Sequence, residues 1–237
     1  MDGLVWTKER RAPRRQAPSV ERFVAHAVAV ADAEGADAVT MRRVAKDLGS
    51  GTASLYRYVA SRDELLDLMI DAVQGEDVPP GPSGDWRADL SASARRLRAL
   101  LVRHPWLGAE LTGRPALGPN ALRQYDAVLA AAAQLTSDAT LAALAVDTVT
   151  AYVLGAAGGE VAEAQASRRT GMTESEWRAS VGPYIREVVE SGDYPHFARR
   201  VVEADDLSPK AAFEIGLACV LDGLATRIPK TPTSANP

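Results

Sequence analysis

Three features of the chain predict an all-α protein. Hydrophobic residues make up 46% of the 237, enough to bury a real core. The composition is heavy in Ala, Leu, Val, Arg and Asp and holds only three Phe, so helix formers outweigh aromatic strand patterns. Apolar residues recur at helical spacing, as in Met41, Val44, Ala45 and Leu48.

The elements follow in order. Residues 1–18 hold five Lys or Arg, two Asp or Glu and two Pro, and read as a basic disordered arm. Ser19 caps a first helix that carries Phe23, Ala27, Val30 and Ala31 and stops at Gly35. Thr40 caps a second helix, which Gly49 ends. A third runs from about Thr52 to Val59. Ser61 opens "SRDE", a capping box with Glu64, and a fourth helix carries Leu65, Leu66, Met69, Ile70 and Val73. Together residues 19–74 form one small domain. Residues 75–84 are rich in Pro and Gly and read as a linker. A larger helical domain spans 85–230, with helices near 85–103, 119–135, 137–165, 173–190 and 208–227, and 231–237 is a tail. Shorter segments near 105–111 and 195–204 fill gaps, and 112–119 and 166–173 read as loops.

Charge and cysteine narrow the function classes. Residues 1–64 carry eleven Lys or Arg against nine Asp or Glu, whereas the whole chain has net charge −4. A basic front on an acidic body points to an anionic partner at the N-terminal end. The single Cys219 excludes an internal disulfide framework and a cysteine-rich metal site, and is read as helix packing. The N-terminus lacks the apolar segment of a signal peptide. Residues 141–161 come nearest to a membrane span, but Asp147 and Glu160 interrupt them, so no membrane partner is expected and the chain is placed in the cytoplasm.

The second and third helices, joined by a tight glycine turn, have helix-turn-helix spacing. In such a unit the second helix enters the DNA major groove and the first crosses the backbone. Gly51, Thr52, Ala53 and Ser54 let that helix start close to phosphates and base edges. Leu55 and Val59 anchor it inward. Tyr56, Arg57 and Tyr58 reach outward, and Thr40, Arg42 and Arg43 lie near the backbone path.

The stretch from Val39 to Val73, "VTMRRVAKDLGSGTASLYRYVASRDELLDLMIDAV", closely resembles the DNA-binding domain of the TetR family of bacterial repressors. The shared features are Thr40, the Leu48-Gly49 turn, Leu55-Tyr56-Arg57-Tyr58, and the Ser61 to Leu66 opening of the fourth helix. Arg62 stands where Lys is commoner and would pair with phosphate. Ser50 stands where an apolar residue is usual. Over the rest of the chain, "RHPWLGAELTGRPALGPNALRQYDAVLAAA", "AYVLGAAGGEVAEAQ" and "FEIGLACVLDGLATRI" resemble the C-terminal domain of the tetracycline-repressor subgroup.

That resemblance implies a homodimer on a palindromic double-stranded operator and a small-molecule effector in the larger domain. It implies dimerisation by the helices near 137–165 and 208–227. Val149, Val153 and Ala156 supply one apolar face there, and Phe213, Leu217, Val220, Leu221 and Leu224 the other. Trp86, His104, Trp106, Leu107, Tyr125, Leu129 and Tyr152 are expected around a central cavity, with Arg114, Asn120 and Gln124 as polar groups and Trp177 closing the site. The subgroup's magnesium-coordinating His has Glu110 or Leu111 near its place, so tetracycline with magnesium is not the expected inducer. His26, His104 and His196 lie far apart and form no local zinc motif, so neither metal nor cofactor is expected.

Enzyme motifs are lacking. "GAAGGE" at 155–160 has no preceding strand and no following Lys-Ser/Thr, and no G-x-S-x-G occurs. The expected function is a ligand-released repressor. The alternatives are a ligand-independent DNA-binding protein whose second domain only dimerises, and a helical protein that does not bind DNA.

Overall fold

The computed structural model describes residues 5–7, 19–113 and 117–229. Among these are eleven α-helices and no strand. The head consists of α1 (Val20–Glu34), α2 (Met41–Asp47), α3 (Thr52–Tyr56) and α4 (Arg62–Gln74). The body adds α5 (Trp86–Arg103), α6 (Leu107–Leu111), α7 (Pro119–Ala132), α8 (Ala139–Thr170), α9 (Glu174–Ser191), α10 (Pro195–Glu203) and α11 (Pro209–Arg227).

Short polar residues set the starts. Ser19, Thr40, Ser61, Asp85, Asp138, Thr173 and Ser208 each accept a bond from a first-turn amide of the helix that follows. At α4 the return bond of the expected capping box shifts by one residue: Glu64 Oε2 accepts from the amide of Ala60 at 2.8 Å. The Ser61 half is as expected, with Oγ accepting from the Glu64 amide at 3.1 Å. Helix α8 continues through Thr170, into the 166–173 segment expected from sequence to be a loop, and ends where Gly171 takes φ +69°. Nothing in Ala166, Ser167 or Thr170 breaks a helix, so the stop falls at the glycine.

One core runs through head and body. Phe23, Leu55, Leu65 and Met69 fill the head, and Leu90, Leu107, Leu217 and Leu221 fill the body. Helix α4 belongs to both. It packs on α1 at one end and on α7 at the other. The described part of the expected disordered arm, Val5–Thr7, forms one helical turn against α4, with Val5 buried.

Over Ala139–Ser167, α8 is long and apolar enough to cross a membrane. Here it is the core helix of the body. It packs on α5, α7 and α11 and buries Ala145, Val146, Val149 and Val153.

Several dimer residues expected from sequence turn out to serve this internal core. Val149, Val153, Phe213, Leu217, Leu221 and Leu224 are all buried within the single chain, and Val220 is half-buried. An apolar stripe shows that a helix face is covered, not what covers it. The outward faces of α8 and α11 are made of other residues. Leu144, Thr148, Ala151, Gly155 and Gly159 lie on one, and Ile215, Cys219 and Gly223 on the other. Helices α9 and α10 bury no residue within the chain.

Candidate DNA-reading face and effector cavity

Helices α2 and α3 are joined by a turn that only a glycine fits easily. Gly49 sits at φ +64°, and the amides of Gly49 and Ser50 close the end of α2 on the carbonyls of Lys46 and Ala45 at 2.9 Å each. Leu55 and Val59, both fully buried, then fix α3 against the head. The opposite side presents Thr40, Arg42, Gly51, Ala53, Tyr56 and Arg57 to solvent, with Thr52, Ser54 and Tyr58 half-buried beside them. Tyr56 is 51% exposed. Arg57 Nη2 donates to Ser54 Oγ at 3.2 Å, which holds the guanidinium beside the start of α3. Thr40 Oγ1 accepts from the Arg43 amide at 3.1 Å, and a hydroxyl that accepts can also donate.

Two cations expected at phosphates have other partners. Arg43 donates to Asp47 at 2.6 Å and to Glu34 at 3.0 Å. Those hydrogen bonds, to Glu34 first and Asp47 second, push the guanidinium still further up. Arg62 donates from Nε to the Val39 carbonyl at 2.9 Å and from Nη2 to the Ala36 carbonyl at 2.8 Å. It bolts α4 to the segment before α2. Lys46, passed over in the sequence, is exposed one turn beyond Arg42 on α2.

The body holds a cavity of about 500 Å³ between α5, α7, α8 and the end of α4. Its wall is mainly apolar, with Leu97 and Leu100 from α5, Val128 from α7, and Val149 and Val153 from α8. Ser93, Arg96, Gln124, Asp147 and Thr150 add polar groups. Val73, Gln74 and Asp77 bring the end of α4 to the same wall. A volume in this range with few polar groups is that of a small-molecule site.

Of the ligand residues expected from sequence, Tyr125 and Gln124 line this cavity. The others are placed elsewhere. His104 and Trp106 are buried at the junction of head and body and bond to Asp32. Asn120 binds Asp71 on α4. Tyr152 turns to α11 and donates to the Phe213 carbonyl at 2.8 Å. Trp86 lies beside Arg87, and Leu107 and Leu129 pack in the core. Trp177 is 54% exposed on α9. Arg114 lies outside the described residues. The cavity face of α5 was nonetheless written in the chain, because Ser93, Arg96, Leu97 and Leu100 recur at i, i+3, i+4 and i+7.

The wall is tied to α4 by specific bonds. Gln124 Nε2 donates to the carbonyls of Gln74 at 3.0 Å and Asp77 at 2.5 Å. Asp71, 5% exposed, caps α7 from the side: Oδ1 accepts from the amides of Asn120 at 2.8 Å and Ala121 at 3.0 Å. A Cβ on Gly118 would overlap Asp71, so this approach requires glycine there.

Known proteins share this arrangement. Residues 23–69 match the family model for bacterial regulatory proteins of the tetR family, and 78–228 match the tetracyclin repressor-like C-terminal domain. The HTH-type transcriptional repressor DrrR1 of Streptomyces coeruleorubidus is 43% identical over 227 residues, covering 93% of this chain and 83% of that protein. An HTH-type transcriptional regulator of Saccharopolyspora erythraea is 33% identical over 94% of this chain and 92% of its own length. Among solved structures, ActR of Streptomyces coelicolor in complex with actinorhodin superposes with TM-score 0.72 at 30% identity, covering 89% of this chain and 98% of that one.

Proposed function

The chain belongs to the tetR family of bacterial regulatory proteins, DNA-binding transcriptional repressors rather than enzymes, and on that premise we propose that it binds a palindromic operator as a homodimer and leaves it when a small molecule fills the body cavity. The observation that carries this reading is the position of α4. Its first turns carry Leu65, Leu68 and Met69 in the head core, while Val73 and Gln74 line the cavity. A ligand that prefers another seat for α4 weakens DNA binding by linkage.

Tyr56 and Arg57 are assigned to bases or phosphates, with Thr40, Arg42 and the half-buried Thr52, Ser54 and Tyr58 around them. Arg43 and Arg62 position the head. Two copies pair through the outward faces of α8 and α11, whose small residues allow close helix approach. Helices α9 and α10 then lie against the second copy, where their exposed Trp177, Tyr184 and Phe197 find cover. The effector is an amphiphile with a broad apolar body, in keeping with the Leu and Val walls and the few polar groups of the cavity.

The test is selection of genomic fragments by the purified protein, followed by sequencing and by titration of the enriched fragment across salt. One enriched palindrome, bound with steep salt dependence, supports the reading. Recovery of no DNA overturns it.

A further inference from the structure

Away from the cavity, head and body meet at a polar cluster built around a buried histidine. His104, at the end of α5, is 3% exposed. Its Nδ1 lies 2.8 Å from Asp32 Oδ1 on α1, and its Nε2 lies 3.1 Å from Glu76 Oε1 just after α4. Trp106 Nε1 donates to the same Asp32 oxygen at 2.7 Å, and Arg103 Nη1 donates to Glu76 Oε2 at 2.5 Å. The Trp106 ring stands edge-on to the imidazole at 6.2 Å.

Both imidazole nitrogens face carboxylates. An ionised carboxylate only accepts, so the ring fills both bonds only as the doubly protonated imidazolium. Either neutral tautomer turns a lone pair toward an anion. Charge balance leads to the same state. With the proton, Asp32 and Glu76 are matched by Arg103 and His104. Without it, a buried imidazole lone pair faces a carboxylate oxygen, and the cluster carries one net negative charge. Burial pushes the Glu76 carboxyl up, but the hydrogen bonds from Arg103 and His104 outweigh it and hold that carboxyl below its usual range.

We propose that His104, held as an imidazolium between Asp32 and Glu76, is a latch that fixes the orientation of the DNA-reading head on the body and makes operator binding proton-dependent. It is a positioning residue and touches neither DNA nor effector. Asp32 belongs to the head, while Glu76, Arg103 and Trp106 belong to the body side. Loss of one proton therefore loosens a polar cluster that joins α1 directly to the end of α5. The DNA part of the proposal rests on the repressor reading above.

The experiment uses the full-length protein and the DNA fragment that it selects. Fluorescence anisotropy gives affinity at constant salt between about pH 5 and 8, where histidine changes charge. Wild type is compared with His104→Gln, which keeps one donor but cannot titrate, and with Asp32→Asn. The expected result is a change in wild-type affinity across this range about tenfold larger than in either variant. Parallel pH curves for all three overturn the proposal. Nitrogen-15 spectra of the wild-type imidazole give a readout that needs neither variant nor DNA. Both ring nitrogens are expected to be protonated at the acid end, with amide exchange at residues 31–34 speeding up beyond its intrinsic pH dependence as the ring deprotonates. A neutral ring at the acid end, or exchange at 31–34 blind to its titration, also overturns the proposal. If the protein selects no DNA, the repressor reading fails, and the spectra and exchange still decide the latch.

Discussion

Asp71→Ala is the sharpest test of how α4 is held. Asp71 is 5% exposed and accepts three hydrogen bonds from the first turn of α7: from the Asn120 amide at 2.8 Å, the Ala121 amide at 3.0 Å, and Asn120 Nδ2 at 3.1 Å. Removing the carboxylate leaves two buried backbone N–H groups without an acceptor, at about 1–2 kcal/mol each. It also removes an anion from a helix N-terminus, worth up to about 1 kcal/mol. The expected loss is about 3–4 kcal/mol, or a fall in Tm of roughly 10 °C at this chain length. Asp138→Ala is the internal comparison. Asp138 accepts from the amides of Thr140 at 2.8 Å and Leu141 at 3.1 Å, but at an exposed helix start. Water replaces its oxygen there, so its loss costs about 1 kcal/mol. Urea denaturation followed by circular dichroism measures both. Equal losses at the two positions would show that burial of the α4–α7 contact is not what makes Asp71 matter. Gly118→Ala should reproduce much of the Asp71 effect, because its Cβ meets the Asp71 side chain.

Arg62→Ala removes the two bonds to the Val39 and Ala36 carbonyls and should lower head stability by about 1–2 kcal/mol in a thermal melt, with Arg62→Lys recovering only part because one ammonium cannot span both carbonyls. Tyr56→Ala should abolish selective DNA binding in an anisotropy titration while shifting stability by less than about 0.5 kcal/mol, since half of that ring is already in solvent. Arg57→Ala should weaken binding to all sequences and reduce the salt slope by about one; an unchanged slope would remove Arg57 from the phosphate contacts. Asp67→Asn should stabilise the protein at neutral pH. Desolvation first, then Asp63 and Glu64, push the Asp67 carboxyl up, so its ionised form is disfavoured in the folded state. The penalty is present above the raised value and fades as pH falls through the carboxylate range, so wild-type and variant melts should converge in acid.

Local signals in this sequence were readable because each acts on its nearest neighbours. Ser19, Thr40 and Ser61 cap the helices that follow them, and Gly49 makes the left-handed turn between α2 and α3. The exposed face of α3 and its neighbours follows from those few residues. The cavity does not, because its wall depends on which side of each helix faces inward after packing. Val149 and Val153 show the problem: their stripe was read as a face for a second copy, yet it is divided between the core and the cavity wall. Arg62 shows another form of it. Its partners are carbonyls 23 and 26 residues upstream, and backbone oxygens carry no sequence signature. His104 was expected around the cavity together with Trp106 and Leu107. Only the fold shows that both of its nitrogens are already engaged.

The bonds at the end of α4 constrain how an effector can act. Helix α4 has 13 residues, about 20 Å of rigid rod, with head core at one end and cavity wall at the other. Its seat on the body is set by its Asp71, which accepts from the start of α7, and by Gln124 of α7, whose amide binds the Gln74 and Asp77 carbonyls at the cavity wall. A ligand that fits the cavity equally well in both seats of α4 shifts nothing, however tightly it binds. On the proposed function, release requires a group that takes the Gln124 amide away from those carbonyls, or bulk that displaces Val73. Two hydrogen bonds at about 1 kcal/mol net each amount to a shift of roughly 30-fold, and one buried valine at about 1.5 kcal/mol to a shift of roughly 10-fold. Both lie within the range of allosteric coupling measured between paired sites. Gln124→Leu therefore separates the two routes. It removes the amide and keeps the bulk, so an effector acting through Gln124 loses its hold on DNA release, whereas one acting through Val73 keeps it.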